Sequence, residues 1–455
     1  MYGGKLILAN NETLDSVSVN QDALFVSNAN LTVDNTIANN GQVLVHTGTF
    51  EDNITNDGQF ANTGNITVNA NIVNDSISDS TTALWNQIGT ISAENITNNG
   101  TWQNQSNVTI ANAFVNNGTW YSGQQQVVNN VASWVAYPQS TKNVVTTSTL
   151  TGTGTFNVNN GDLEIKQSGN STFDGTTTGQ GSLTKSDVGT LKISNAQTFT
   201  GGLNVTGGTF ETLTGGTLAD TNAIHVFKDS TFIAGAVDTV GSVLVDAKGS
   251  GTNAGLFTMN ANTTTQTSFK NDGTLALNAN LTTGTDFENN GTTTLAGNRV
   301  VTTTGGLKGD GDIVITNIDV NNPTGLTLAQ TGNTIYSGTI TGTGSFTKTG
   351  TGTLTLNGIA GSVDLGSKLI IDNGILALDG DYILADTLDV LINNNGTMQL
   401  IDGDQEIDEL MGTGLIDLGT DNKLVVNEGG NFSGRVIGTG TLDIVNGDFD
   451  IDDDI

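Results

Sequence analysis

The chain has no cysteine, only two prolines and few charges. Without cysteine there are no disulfides and no thiolate nucleophile, a composition compatible with an exported protein stabilised by geometry. Charged residues make up 13% of the 455, against about 25% in an ordinary globular chain. Asn, Thr, Gly and Ser fill the shortfall, and Asn, Thr and Gly rank low in helix propensity. No apolar run approaches the roughly 18 residues of a membrane helix. The residues after Met1, YGGKLILANNETL, do not read as a secretory signal, so an exported form is expected to have lost its signal. Basic residues are the scarcest charge: 14 against 45 acidic, a net charge of −31. That argues against nucleic-acid binding, which calls for a basic face, and against docking on anionic lipid. It favours solubility and is compatible with divalent cations.

What is present is a pattern. Disorder is the first rival reading, but 35% of the residues are hydrophobic and fall in short alternating runs. The stretch Gly342–Leu356, GTGSFTKTGTGTLTL, sets single apolar residues among glycines and threonines. Phe346, Leu354 and Leu356 fall on one face of a strand, and the glycines mark corners without room for a side chain.

The first 120 residues repeat a shorter unit. Asn39-Asn40-Gly41-Gln42-Val43 returns as Asn56-Asp57-Gly58-Gln59-Phe60, then Asn99-Gly100-Thr101-Trp102 and Asn117-Gly118-Thr119-Trp120. Gly41 and Gly58 are 17 apart; Gly100 and Gly118, like Gly273 and Gly291, are 18 apart. A period near 20 signals a solenoid whose units bury a face only by stacking. Asn-Gly and Asp-Gly also suit hairpins, so a meander is the rival topology. Two or three strands of about four residues fit each period, which favours a coil. The expectation is an all-β chain, an elongated right-handed parallel β-helix (β-solenoid) forming essentially one continuous rod. Three stretches are expected along it: 1–149, coils with Asn-Gly turns and a Trp-rich segment; 150–360, Gly-Thr-rich repeats; and 361–455, acidic coils. All four tryptophans (Trp85, Trp102, Trp120, Trp134) lie in the first stretch, and Gln124-Gln125-Gln126, Tyr137 and Pro138 break its pattern. Two readings stand: an aromatic contact patch or projecting loop, or wide coils filled with large side chains.

From Leu150 an eleven-residue pattern recurs three times. Phe173-Asp174-Gly175 leads to Gly179-Gln180-Gly181-Ser182-Leu183; Tyr336-Ser337-Gly338 leads to Gly342-Thr343-Gly344-Ser345-Phe346; Phe432-Ser433-Gly434 leads to Gly438-Thr439-Gly440-Thr441-Leu442. Two copies continue with Thr184-Lys185 and Thr347-Lys348, then Gly189–Ile193 and Gly352–Leu356. These residues resemble the passenger-associated transport repeat of bacterial autotransporters, the autotransporter-associated β-strand repeat. The likeness covers about 170–211, 330–358 and 400–451. It implies a pectin-lyase-like, right-handed parallel β-helix displayed outside a Gram-negative-type cell, with export through a C-terminal β-barrel. No barrel sequence follows here. Thr441–Ile451 aligns with Thr155–Ile165, so the chain stops inside a repeat, as a fragment, a processed passenger or a subunit continued by a neighbour would.

Candidate chemistry is sparse. Asp372 to Asp454 holds 19 of the 45 acidic residues, against Lys423 and Arg435 alone. Asp448, Asp450, Asp452 and Asp454 alternate, as do Asp402, Asp404, Glu406 and Asp408, so a strand would set each group on one face. Crowded carboxylates suit Ca²⁺, but neither the calcium-binding nonapeptide nor the twelve-residue calcium loop occurs. A solvated strand face is the plainer reading, and no metal residue or cofactor is assigned. His46 and His225 are 179 residues apart (225 minus 46), so several coils would separate them, and no catalytic residue is assigned. A glycoside hydrolase needs only paired carboxylates, and a lyase would need basic groups beyond Arg299, Arg435 and scattered lysines. Lys185 and Lys348, at one repeat position, read as structural. Asn53-Ile54-Thr55, Asn65-Ile66-Thr67 and Asn107-Val108-Thr109 resemble glycan acceptors, but stacked asparagine ladders account for them better. The functional expectation is a non-enzymatic, extracellular or cell-surface structural or adhesive segment. Its expected partners are other copies through the solenoid ends and a host-cell, matrix or glycan ligand, with no nucleic acid and no membrane insertion. The alternatives are a polysaccharide-active enzyme and a phage tail-fibre segment.

Overall fold

The structure is a computed structural model. It describes residues 4–75, 83–122, 124–128, 131–135, 143–159, 161–249, 254–317 and 324–446, with the backbone alone for 124–128 and 131–135. Asp448, Asp450, Asp452 and Asp454, like Tyr137, Pro138 and the Trp134 side chain, lie outside what is described. The chain is all-β, a parallel β-solenoid of about 20 turns. It forms two compact units, Met1–Ile224 with Ser230–Ala236, and His225–Asp229 with Val237–Ile455. No described helix is long and apolar enough to cross a membrane.

In the first unit each turn contributes a strand to three parallel ladders. One ladder stacks Leu24–Ser27, Gln42–Val45, Gln59–Asn62, Leu84–Gln87, Thr101–Asn104 and Thr119–Ser122. A second runs from Leu31–Val33 through Gly48–Phe50, Ile66–Val68 and Ile91–Ala93. The third carries Val17–Val19, Ile37–Asn39, Ile54–Asn56, Ile72–Asn74 and Ile96–Asn98. A strand therefore pairs with its counterpart one turn later rather than with the next strand in sequence. The Asn-Gly corners join different ladders and make no hairpins. Among the described residues a single pairing is antiparallel, Gln124–Val128 with Val131–Val135, inserted between Ser122 and Asn143 and outside the ladders. The change of composition at Leu150 leaves the stacking intact: Asn143–Thr147 pairs with Val108–Thr109 on one side and Leu163–Gln167 on the other.

Alternation along each strand sends every second residue inward. Phe25, Val43, Phe60, Trp85, Trp102, Trp120 and Phe156 make one buried column. The rings of Phe60, Trp85, Trp102 and Trp120 stack with centroids 4.1, 4.6 and 4.9 Å apart. These three tryptophans thus fill the coils, as the packing reading expects. In the second unit, Phe269, Phe287 and Leu307 form a comparable column.

The glycines of the eleven-residue pattern answer two different constraints. Gly179, Gly342 and Gly438 have φ of 119°, 123° and 103°, a region L side chains avoid. Gly175, Gly338 and Gly434 instead lack space. A Cβ on Gly338 would lie 1.9 Å from the Gly311 carbonyl oxygen and 2.8 Å from the Tyr336 ring. The rings of Phe173 and Phe432 crowd Gly175 and Gly434 in the same way. The aromatic-x-Gly spacing is therefore one unit: a buried ring packed over the only residue that leaves room for it.

Candidate interaction surface

Polar side chains in these coils fall into three environments, and most are committed to the fold. The first is the interior. Asn39, Asn56, Asn74, Asn98 and Asn116 are fully buried. Each donates Nδ2 to the Oδ1 of the next, at 2.7, 2.7, 2.8 and 2.8 Å. The same amides donate to main-chain oxygens of Gln59, Leu84, Thr101 and Thr119. The ladder expectation therefore holds, most fully at the asparagine opening each Asn-Asn/Asp-Gly corner.

The second environment is the corner itself. Asn53 belongs to a lesser ladder, its Oδ1 accepting from Asn71 Nδ2 at 2.9 Å. Asn65 and Asn107 depart from the ladder expectation: each accepts a main-chain N–H of a later turn, from Thr90 at 3.1 Å and Val144 at 3.2 Å. The reason is position. A residue leaving a strand at a corner faces the backbone of the following turn, not its side chains. Asp381 and Asp404 use the same device, accepting from the N–H groups of Asp404 at 2.9 Å and Lys423 at 2.8 Å.

Lysine supplies the third. Lys185 and Lys348 are fully buried in inward-facing columns, Lys185 between Ile165 and Val205, Lys348 between Leu328 and Ile371. Each ammonium ends on three main-chain oxygens: Ser186, Asp187 and Gly207 at 2.8, 2.9 and 3.3 Å for Lys185. For Lys348 they are Thr349, Gly350 and Asn373 at 3.0, 3.0 and 3.2 Å. Burial pulls both ammonium groups down to about 8, with Asp187 opposing it at Lys185. Their recurrence is structural, as the repeat position suggests.

The histidines have separate partners, Thr63 Oγ1 at 3.0 Å from His46 Nδ1 and Asp246 Oδ1 at 2.8 Å from His225 Nε2. His225 also stacks on Phe227, centroids 3.7 Å apart.

The acidic set Asp402, Asp404, Glu406 and Asp408 does not share one face. Asp402 ends the strand Asp389–Asp402, Gly403 turns the chain at φ 95°, and Glu406 and Asp408 belong to Gln405–Gly412. The alternation crosses a corner, which strand periodicity alone does not register. Among the described residues no three or more His, Cys, Asp or Glu side chains gather as a metal site would need.

One surface is not accounted for by internal bonding. Successive turns present Ile359, Tyr382 and Ile401 at one corner of the second unit, 78%, 46% and 50% exposed. Main-chain bonds fix the stacking: Gly361 N–H donates to Tyr382 O and Tyr382 N–H to Asp404 O, both at 2.7 Å. Tyr382 has φ 51°, rare for a bulky residue. Ile401 is the extra residue of a bulge, where Leu378 pairs with Leu400 but Asp379 with Asp402. Asp381, Asp402 and Asp404 flank these apolar groups. Sequence reasoning missed the patch because a bulge and a left-handed tyrosine carry no periodic signal.

Protein-family models, curated proteins and solved structures, compared with this chain, give no match.

Proposed function

We propose that the chain is a non-enzymatic structural or adhesive β-solenoid, displayed at a bacterial cell surface as an autotransporter-like passenger segment or built into an extracellular fibre, sheath or surface layer. The observation that carries this reading is how the polar residues are used. Buried asparagines, corner carboxylates and even two lysines hold turn to turn, so the sequence is spent on stacking. The motif likeness around 170–211, 330–358 and 400–451 supports the passenger form. The corner at Ile359, Tyr382 and Ile401 is the surface proposed to meet a matrix or glycan partner, since an aromatic beside carboxylates suits hydroxyl-rich ligands.

The test is purified chain applied to a glycan array and to matrix-coated plates, with reducing-sugar release assayed on the same glycans. Retention without sugar release supports the adhesive reading. Sugar release overturns it in favour of the polysaccharide-active alternative. Electron microscopy at high protein concentration separates a polymerising subunit from a discrete passenger.

A further inference from the structure

The chain carries nine Asn-Gly dipeptides, the pair in which an asparagine amide is lost most readily because glycine leaves the following nitrogen unshielded. The fold treats them unequally. At four of them the glycine N–H is engaged. Gly41 donates to Asn39 Oδ1 at 3.0 Å. Gly100, Gly118 and Gly291 donate to the carbonyls of Asn74, Asn98 and Asn271 at 3.1, 2.8 and 2.9 Å. The asparagines before the last three are also tied: Asn99, Asn117 and Asn290 donate to Asp75, Asn99 and Asp272 at 3.2, 2.9 and 2.8 Å. Asn373-Gly374 and Asn395-Gly396 sit in register within strands. Asn160 and Gly447, from two further pairs, lie outside the described residues.

Asn357-Gly358 differs. It follows the strand Thr353–Leu356 and precedes Val363–Leu365, in neither strand, and Asn357 is exposed. Gly358 N–H donates to none of the described residues, and the Asn357 side chain is held only as an acceptor, from Ser337 Oγ at 2.7 Å. Accepting through Oδ1 leaves the amide nitrogen free to depart and draws electron density from Cγ.

We propose that Asn357 is a site of spontaneous deamidation in the folded protein, while the ladder and corner asparagines are protected by the solenoid. Gly358 nitrogen loses its proton and attacks Asn357 Cγ. The new N–Cγ bond closes a five-membered succinimide as the Cγ–Nδ2 bond breaks and ammonia leaves with the proton. Water then opens either imide bond, giving aspartate or, with an extra methylene in the main chain, isoaspartate. Both products add a negative charge to the corner that carries Ile359, one turn from Tyr382.

Peptide mapping by mass spectrometry tests this, on intact folded chain incubated at mildly alkaline pH and on the same chain in denaturant. In the folded sample the peptide holding Asn357 should gain acid, with aspartate and isoaspartate both present. Peptides holding Asn99, Asn117 and Asn290 should keep their amides there and lose them in denaturant. The Asn357→Gln variant should remove the folded-state signal. If Asn357 stays an amide in the folded chain, or if Asn99, Asn117 and Asn290 convert as fast as Asn357, the proposal fails.

Discussion

Asn74 Nδ2 donates to Asn98 Oδ1 at 2.8 Å although the two residues are 24 positions apart, six more than the 18 between Asn98 and Asn116. The ladder closes across the longer interval with the same bond length. Register in this fold is thus set by the interior, not by counting residues.

That ladder should be sensitive at its middle. Asn74→Ala removes the acceptor for Asn56, the donor to Asn98 and the donor to the Thr101 carbonyl. Leaving buried polar groups unpaired costs about 1–3 kcal/mol each, so a loss of about 3 kcal/mol is expected in urea denaturation. Asn278→Ala, at an exposed asparagine bonded to Asn260, should change stability by no more than about 0.5 kcal/mol. Equal effects would remove the claim that the ladder is special.

The buried lysines set a pH signature. Their ammonium groups titrate near 8 in the fold, against about 10.4 in an unfolded chain. Between those values the unfolded chain binds more protons, so stability contributed by these sites rises with pH. Below about 8 the cost of the buried charge is constant. Lys185→Met and Lys348→Met should each destabilise at neutral pH by about 2 kcal/mol, having stranded main-chain oxygens. The gap from wild type should widen from pH 7 to pH 10. A gap that narrows would show that the charged form is the one the cage prefers.

Two glycines should differ in how much a methyl group costs. Gly338→Ala places a methyl group against the Gly311 carbonyl and the Tyr336 ring, and overpacking of that kind costs about 3 kcal/mol or more. Gly361 has φ 70° and open space where a methyl group would point, so Gly361→Ala should cost only the left-handed penalty, about 1 kcal/mol. Thermal melts of the two variants decide it.

Side-chain reach can be tested in the tryptophan column. Trp102 Nε1 donates to Gln87 Oε1 at 3.0 Å. Trp120, stacked one turn on, has no partner for Nε1 among the described residues, and buried Asn104 stands where Gln87 stands relative to Trp102. Asn104→Gln should therefore supply the missing acceptor and raise stability by about 1 kcal/mol, the worth of a net hydrogen bond. Gln87→Asn should lower it. A destabilised Asn104→Gln would mean that the column has no room for the added methylene.

Much of this architecture is legible in the amino-acid order, for a definite reason. Each turn repeats the same inward and outward choices, so Trp102 and Trp120, or Asn39 and Asn56, announce their shared columns by spacing, whereas Trp85 joins Phe60 only through the stacking. The aromatic-x-Gly pair and the positive-φ glycines are local requirements, written where they act. Tertiary structure decided what depends on the neighbouring turn. Nothing local says that Asn56 bonds a side chain while Asn65 pins a main-chain N–H, or that Lys185 points inward to close a cage of carbonyls. The split of Asp402 from Glu406 by a corner, the bulge at Ile401 and the left-handed Tyr382 are likewise fixed by which turn lies above and below. Spacing encodes the ladder a residue joins; its partner is set by stacking contacts some 20 residues away, which the local sequence does not contain.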